Sequence, residues 1–299
     1  MWFTNAISYQ FTKPFNVTVE QIQADLEQRP FVPCGSMDSS KQGWASAIPG
    51  TTSLVHVVGG NALICLKTEE KILPSSVVNK ELNEKVSLLQ DDRGQKIGRS
   101  ERMTLKEEII QQLLPKAFTK ESLLFAYIDY KGQRIVVNAS SANKAETLLA
   151  FLRQSLGSLP VLPFKPEIDL LATLTDWVKN NSTPAPFTLA NNISLKALDE
   201  EASQAKLKNL DLTEEEVQLH ISNGKYVERL SLCWDNKVLF DLTDEGHFKQ
   251  VKFLDVIKEQ NDDINTDDAV GKFDADFALM AGELNQLLNN LAVEYGSEA

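Results

Sequence analysis

Ser122 to Gly157 reads SLLFAYIDYKGQRIVVNASSANKAETLLAFLRQSLG, and its apolar period changes halfway along. Up to Ala139, aromatic and β-branched residues stand on either side of Lys131-Gly132. That is the pattern of two strands joined by a tight turn. From Ser141 onward the spacing lengthens, and Ala145, Leu148, Leu149, Leu152 and Leu156 fall on one helical face. Gly157 sits where a helix C-cap is wanted, with Pro160 just beyond. A hairpin followed directly by an amphipathic helix predicts an α+β fold with antiparallel sheets and packed helices.

The N-terminal side repeats the theme. Residues 2–11 alternate as a strand, and the opening MWFTNAISYQF reads as that strand rather than a signal peptide. Thr18 and Gln21 form a capping box for a helix that places Val19, Ile22 and Leu26 on one face. SLVHVVGGNALICLK is a hairpin around Gly59-Gly60-Asn61. Pro74 opens a helix through about Gln90 with Val78, Leu82, Val86 and Leu89 inward. A loop is expected over 91–103, then a second capping box, Thr104 with Glu107, starting a helix that Pro115 ends.

On the C-terminal side, DLLATLTDWVKNN is helical and NNSTPAPFT is the best linker candidate. LTEEEVQLHISNGK is a helix with Thr213 as its cap. YVERLSLCW, KVLFDL and FKQVKFL form a three-strand meander turning at Asp235-Asn236 and Asp244-Glu245-Gly246. A last helix from about Phe273 to Val293 carries Phe277, Met280, Leu284, Leu287, Leu288 and Leu291 on its apolar face. The boundary is set at an N-terminal α+β region, 1–165, and a C-terminal one, 166–299.

Net charge is −12, unevenly spread. Residues 254–299 hold 11 acids and two lysines, whereas 93–165 hold 12 basic residues and 6 acids. Within the latter, RGQKIGRSERMTLK gathers Arg93, Lys96, Arg99, Arg102 and Lys106 against a single acid, Glu101. Lys116 and Lys120 flank the bend at Pro115, and Lys131 sits in the hairpin turn. Cations so grouped suit a polyanion: each releases a counterion when it meets a phosphate, without reading sequence. Solvated surface charge is the plainer reading.

Other chemistry is thin. There is no phosphate-binding glycine loop and no apolar run of membrane-spanning length. Cys34, Cys65 and Cys233 are too scattered for disulfides or zinc, so a reducing cytoplasm is the expected setting. Cys34 with His56 as base is a weak nucleophile candidate, because a lone cysteine is usually a small apolar residue. Asp263, Asn265, Asp267 and Asp274 match four positions of a calcium loop, but Asp268 replaces its essential glycine. Asp274 and Asp276 read instead as first-turn acids of the last helix. No catalytic residue, metal or cofactor is expected.

PFVPCGSMD with a following GW, EEKILPSSVV, LLPKAF, LRQSLGSLPV, LTDWV and FDADFALMAGEL occur in an order and spacing that resemble the bacterial RdgC family, the recombination-associated proteins, along essentially the whole chain. The resemblance implies a cytoplasmic, nucleoid-associated protein without enzymatic activity. It implies a ring-shaped homodimer with a positively lined hole that takes double- and single-stranded DNA with little sequence preference. It also implies restraint of RecA-promoted recombination, by occupying DNA or by touching RecA. Phe118 of LLPKAF then corresponds to the aromatic that closes the ring, and AKLKNLDLT, with Lys206 and Lys208, to a projecting finger. Asn209 and Leu210 depart from the more polar or basic finger of the family. The alternatives are an adaptor whose basic face binds an acidic protein, and a metal-dependent nuclease using the C-terminal carboxylates.

Overall fold

Period-two alternation gives the first sheet two apolar faces. Leu63, Cys65, Tyr127 and Val136 point one way, while Ala62, Ile64, Leu66, Ala126, Ile128, Ile135 and Val137 point the other, and all are buried. A computed structural model describes residues 1–164, 168–199, 202–261 and 269–294, with backbone alone for 293 and 294. Its elements are β1 (Ile7–Phe11), α1 (Val19–Leu26), β2 (Ser40–Ala45), β3 (Val55–Val58), β4 (Asn61–Lys71), α2 (Ser75–Arg93), α3 (Arg99–Leu113), β5 (Thr119–Asp129), β6 (Arg134–Val137), α4 (Ala142–Leu156) and β7 (Val161–Pro163). The second half has α5 (Leu170–Asn180), β8 (Phe187–Ala197), β9 (Gln204–Lys208), α6 (Glu215–Ser222), β10 (Lys225–Trp234), β11 (Val238–Thr243), β12 (Phe248–Phe253), α7 (Asp255–Lys258) and α8 (Ala269–Glu294).

The fold is α+β, with two antiparallel sheets. The first runs β2-β4-β5-β6-β1-β7, and β3 shares the free edge of β4 with β2. The second runs β12-β11-β10-β8-β9. Helices α1 and α4 cover one face of the first sheet. Residues of α5, α6 and α8 fill the other core, between that sheet and the apolar face of the second. Every residue assigned to the apolar face of the last helix is buried there, from Phe277 to Leu291. Each such burial is worth about 1.5–3 kcal/mol. The chain start ties the sheets together, since Ala6 exchanges backbone hydrogen bonds with Phe248 at 2.9 and 3.0 Å.

Several boundaries differ from expectation. NNSTPAPFT is no linker, for it joins α5 to β8, both packed on β10, and Phe187 within it is buried. Thr213 does not cap α6, which begins after Glu214; the carboxylate of Asp211 accepts from the Thr213 amide and hydroxyl instead. Residues 91–103 are largely helical, because α2 runs to Arg93 and α3 starts at Arg99. The Thr104–Glu107 capping box is therefore absent: Thr104 lies inside α3 and donates to the Ser100 carbonyl. Only Gly94, with φ at +64°, and its neighbours turn the chain, a conformation that favours glycine.

Candidate nucleic-acid interface

The long β4–β5 ladder carries the first candidate surface. It pairs without a break from Asn61 with Asp129 to Lys71 with Thr119. Its inner half is core, whereas Thr119–Leu123 are exposed. Between the two strands the chain leaves the sheet as the antiparallel hairpin α2–α3. That hairpin has a small core of its own, Val78, Leu82, Val86, Leu105 and Ile109, apart from the two main cores. The i+4 spacing of these residues leaves most of each helix surface polar.

The cations of RGQKIGRSERMTLK decorate this arm. Arg93 meets Glu101 at 2.7 Å, and Arg102 donates to the Asn83 amide oxygen at 2.6 Å. Lys96, Arg99 and Lys106 are exposed and have no ion-pair partner among the described residues. Lys116 and Lys120 sit where the arm rejoins β5, the latter across from Glu70. Lys131 occupies the β5–β6 turn, at the far end of β5, on the order of 35 Å away at strand rise. It does not join the arm cluster.

Phe118 stands at the junction of arm and ribbon. It is 84% exposed, far from the buried state of an ordinary core phenylalanine. Its carbonyl accepts from the Ile72 amide at 2.7 Å. Ile72, across the ladder from Phe118, is itself 47% exposed, so the two form an apolar pair at the end of the ribbon, while Leu123, 52% exposed, falls on the opposite face by alternation. Exposed apolar groups grouped in this way mark contact surfaces.

The second surface is the outer face of the five-stranded sheet, and it holds Lys206 and Lys208 on β9. Alternation turns Leu230, Leu232, Phe240, Leu242, Phe248 and Phe253 toward the helices. It turns Asn192, Ser194, Arg229, Ser231, Asp241, Thr243 and Lys249 outward, around an open trough of about 780 Å³. Within the trough Asp241 accepts from Arg229 at 2.7 Å and from the Ser231 hydroxyl. Lys196 bonds Asp244 at 2.7 Å, which raises its pKa above the ordinary lysine value. Lys206, Lys208, Lys249 and Lys252 have no carboxylate partner among the described residues. Lys249 and Lys252 carried no sequence signal: they lie on a meander strand as single charges, and only strand pairing reveals their company.

The catalytic candidates come apart. Cys34 Sγ contacts the Glu69 carbonyl at 3.4 Å, and desolvation, followed by the hydrogen bond with the Glu69 side chain and its charge, pushes its thiol up. His56 pairs with Leu63, six positions along β4 and roughly 20 Å from Glu69 at strand rise. His56 Nε2 lies 2.6 Å from Asp274 instead. α8 begins at Ala269, so Asp274 and Asp276 are not first-turn acids. Asp276 receives the N-terminal amine at 3.3 Å and the Asn261 amide at 3.2 Å. Asp263, Asn265 and Asp267 of the calcium-like stretch lie outside the described residues. Among the described residues no group of three or more His, Cys, Asp or Glu could hold a metal, and no helix is long and apolar enough to cross a membrane.

Comparison with known proteins agrees with the blocks quoted from the sequence. A family described as "Putative exonuclease, RdgC" matches residues 1–298. A protein of Sodalis glossinidius is 42% identical over 300 residues, covering 100% of this chain and 98% of its own. Relatives from Psychromonas ingrahamii and Proteus mirabilis are 40% and 39% identical, each covering 100% of this chain and 99% of their own. All three bear the name recombination-associated protein RdgC. With the match running from one end to the other, the chain belongs to the RdgC family of recombination-associated proteins.

Proposed function

We propose that this protein binds DNA without sequence preference as a ring-shaped homodimer, and that it thereby restrains RecA-promoted recombination. The carrying observation is the arrangement of cations. In a chain of net charge −12, Arg99 and Lys106 on α3, Lys96 in the turn before it, and Lys206 and Lys208 on β9 stand exposed with no carboxylate partner among the described residues. Local field, not whole-chain charge, sets affinity for a polyanion. The family supports recombination as the setting. Phe118 with Ile72 supplies an apolar contact through which two copies close the ring. The protein works in the cytoplasm on the nucleoid, and RecA is met either directly or through the DNA it needs.

The protein acts on DNA without cutting it, despite the word exonuclease in the family description. The carboxylates closest to a catalytic pattern, Asp274 and Asp276, are engaged with His56, the chain start and Asn261. DNA is expected to survive long incubation with magnesium or manganese, and its breakdown would contradict this part of the reading.

Fluorescence anisotropy with a labelled random duplex over a salt series tests the binding. Log affinity should fall linearly with log salt, at about −0.9 per phosphate neutralised. Replacing Arg93, Lys96 and Arg99 together with glutamine should flatten that slope. Absence of binding at low salt would favour the adaptor reading, and an unchanged slope would move the interface off the arm.

A further inference from the structure

We infer that the outer face of the five-stranded sheet is a saddle for duplex DNA, with Lys206 and Lys208 on one backbone and Lys249 and Lys252 on the other. This rests on the DNA-binding reading above and goes beyond it by naming the form of DNA and the opposing pair of lysines.

Strand register places the charges. Residues paired across an antiparallel ladder share a face. Lys208 pairs with Asn192 and Lys206 with Ser194 on β8. Ser194 pairs with Arg229, and Arg229 with Thr243. At the other edge Asp241 pairs with Lys249 and Leu239 with Lys252. The free lysines thus end the rows at both edges of the sheet, on β9 and β12. Four strand spacings separate the two edges, about 19 Å of backbone distance.

Between them the floor is neutral and short. Arg229 and Ser231 satisfy Asp241, and Asn192, Ser194 and Thr243 add no charge. Glu228, Asp244 and Glu245 gather toward the β11–β12 turn, where Lys196 reaches two of them at 3.8 and 2.7 Å. Phosphate is therefore favoured at the opposite end, along Lys208, Lys249 and Lys252. Among the described residues none that lines the trough is aromatic; Tyr226, 37% exposed, pairs with Lys196 at the acidic end of this face, so the stretch along Lys208, Lys249 and Lys252 offers no platform for stacking unpaired bases. A single strand has one backbone and can lie along one row at a time. A duplex has two, and it alone engages both rows at once. Lysine suits this use, as a point charge that meets phosphate without reading bases.

The test compares Lys249→Gln/Lys252→Gln with Lys206→Gln/Lys208→Gln. Each is titrated with a labelled random duplex about three helical turns long, and with a single strand of equal length, across a salt series. Each double variant should reduce the duplex salt slope by about 1.8, the value for two phosphates. Its loss on the single strand should be smaller, because the other row remains. Melting temperatures should match wild type, since these side chains hold no carboxylate partner among the described residues. A Lys249→Gln/Lys252→Gln protein that binds duplex with the wild-type slope would overturn the saddle while leaving the DNA-binding reading intact. So would an equal loss on both DNA forms. A wild-type protein that ignores duplex at low salt would instead remove the DNA-binding reading, and the saddle with it.

Discussion

The helical hairpin α2–α3 and the terminal helix α8 are both mostly helix, yet they are held by different means. The hairpin buries five apolar residues against itself, and its ends join the tips of β4 and β5. Helix α8 packs Phe277, Met280, Leu284, Leu287, Leu288 and Leu291 into the core between the sheets. It also bonds outward, with Asn285 accepting from the Tyr127 hydroxyl at 3.0 Å and Asn289 accepting from Arg134. Local packing suffices for an arm that presents charge, whereas the element joining two sheets needs contacts from the whole chain. A segment with few long-range contacts opens without global unfolding.

The largest test of that contrast is Phe277→Ala. It removes a fully buried ring beside Tyr127 and should cost about 3–5 kcal/mol in urea denaturation, as one cooperative shift. Leu82→Ala should cost about 2 kcal/mol, the low end for such a truncation, because its small cluster can relax. Hydrogen exchange should then show lost protection across 75–113 with α8 unchanged. Equal acceleration in α8 would break the comparison, since the arm would be part of the global unit.

Phe118→Ala should leave monomer stability at the wild-type value, because the ring is already in solvent. If this residue closes the dimer, equilibrium sedimentation should show association weakened by about 2 kcal/mol. An unchanged dimer would move the contact elsewhere. Gly132→Ala should have the smallest effect, on the order of 1–2 kcal/mol. A Cβ there would overlap the carboxylate of Asp129 and the guanidinium of Arg134, a buried pair beneath α8. If stability were unchanged, that pair would be free to adjust and the body would be softer than its burial implies.

Local signals made much of the body legible. Alternation marked the hairpins and the meander, and Gly157 ended α4 as its C-cap position required. The i, i+3, i+4, i+7 spacing of α8 identified every one of its predicted core residues. The arm misled for a physical reason. Arg93 to Lys106 is polar nearly all round, so no apolar stripe revealed that its ends are helical. Strands β8 and β9 were missed because Asn191 and Asn192 interrupt β8 and β9 has only five residues. The basic arm was visible as a charge run. The sheet face was not, since its lysines stand some forty residues apart until β9 and β12 flank one sheet.

Enclosure of DNA by a closed pair is the central claim, and topology tests it most directly. Protein loaded at low salt on closed circular duplex, then on the same duplex linearised, is challenged with high salt. Electrostatic contacts are screened on both, but only a linear molecule has ends from which a ring can slide. The account predicts that protein stays on the circle and leaves the linear form. Equal release from the two would contradict it.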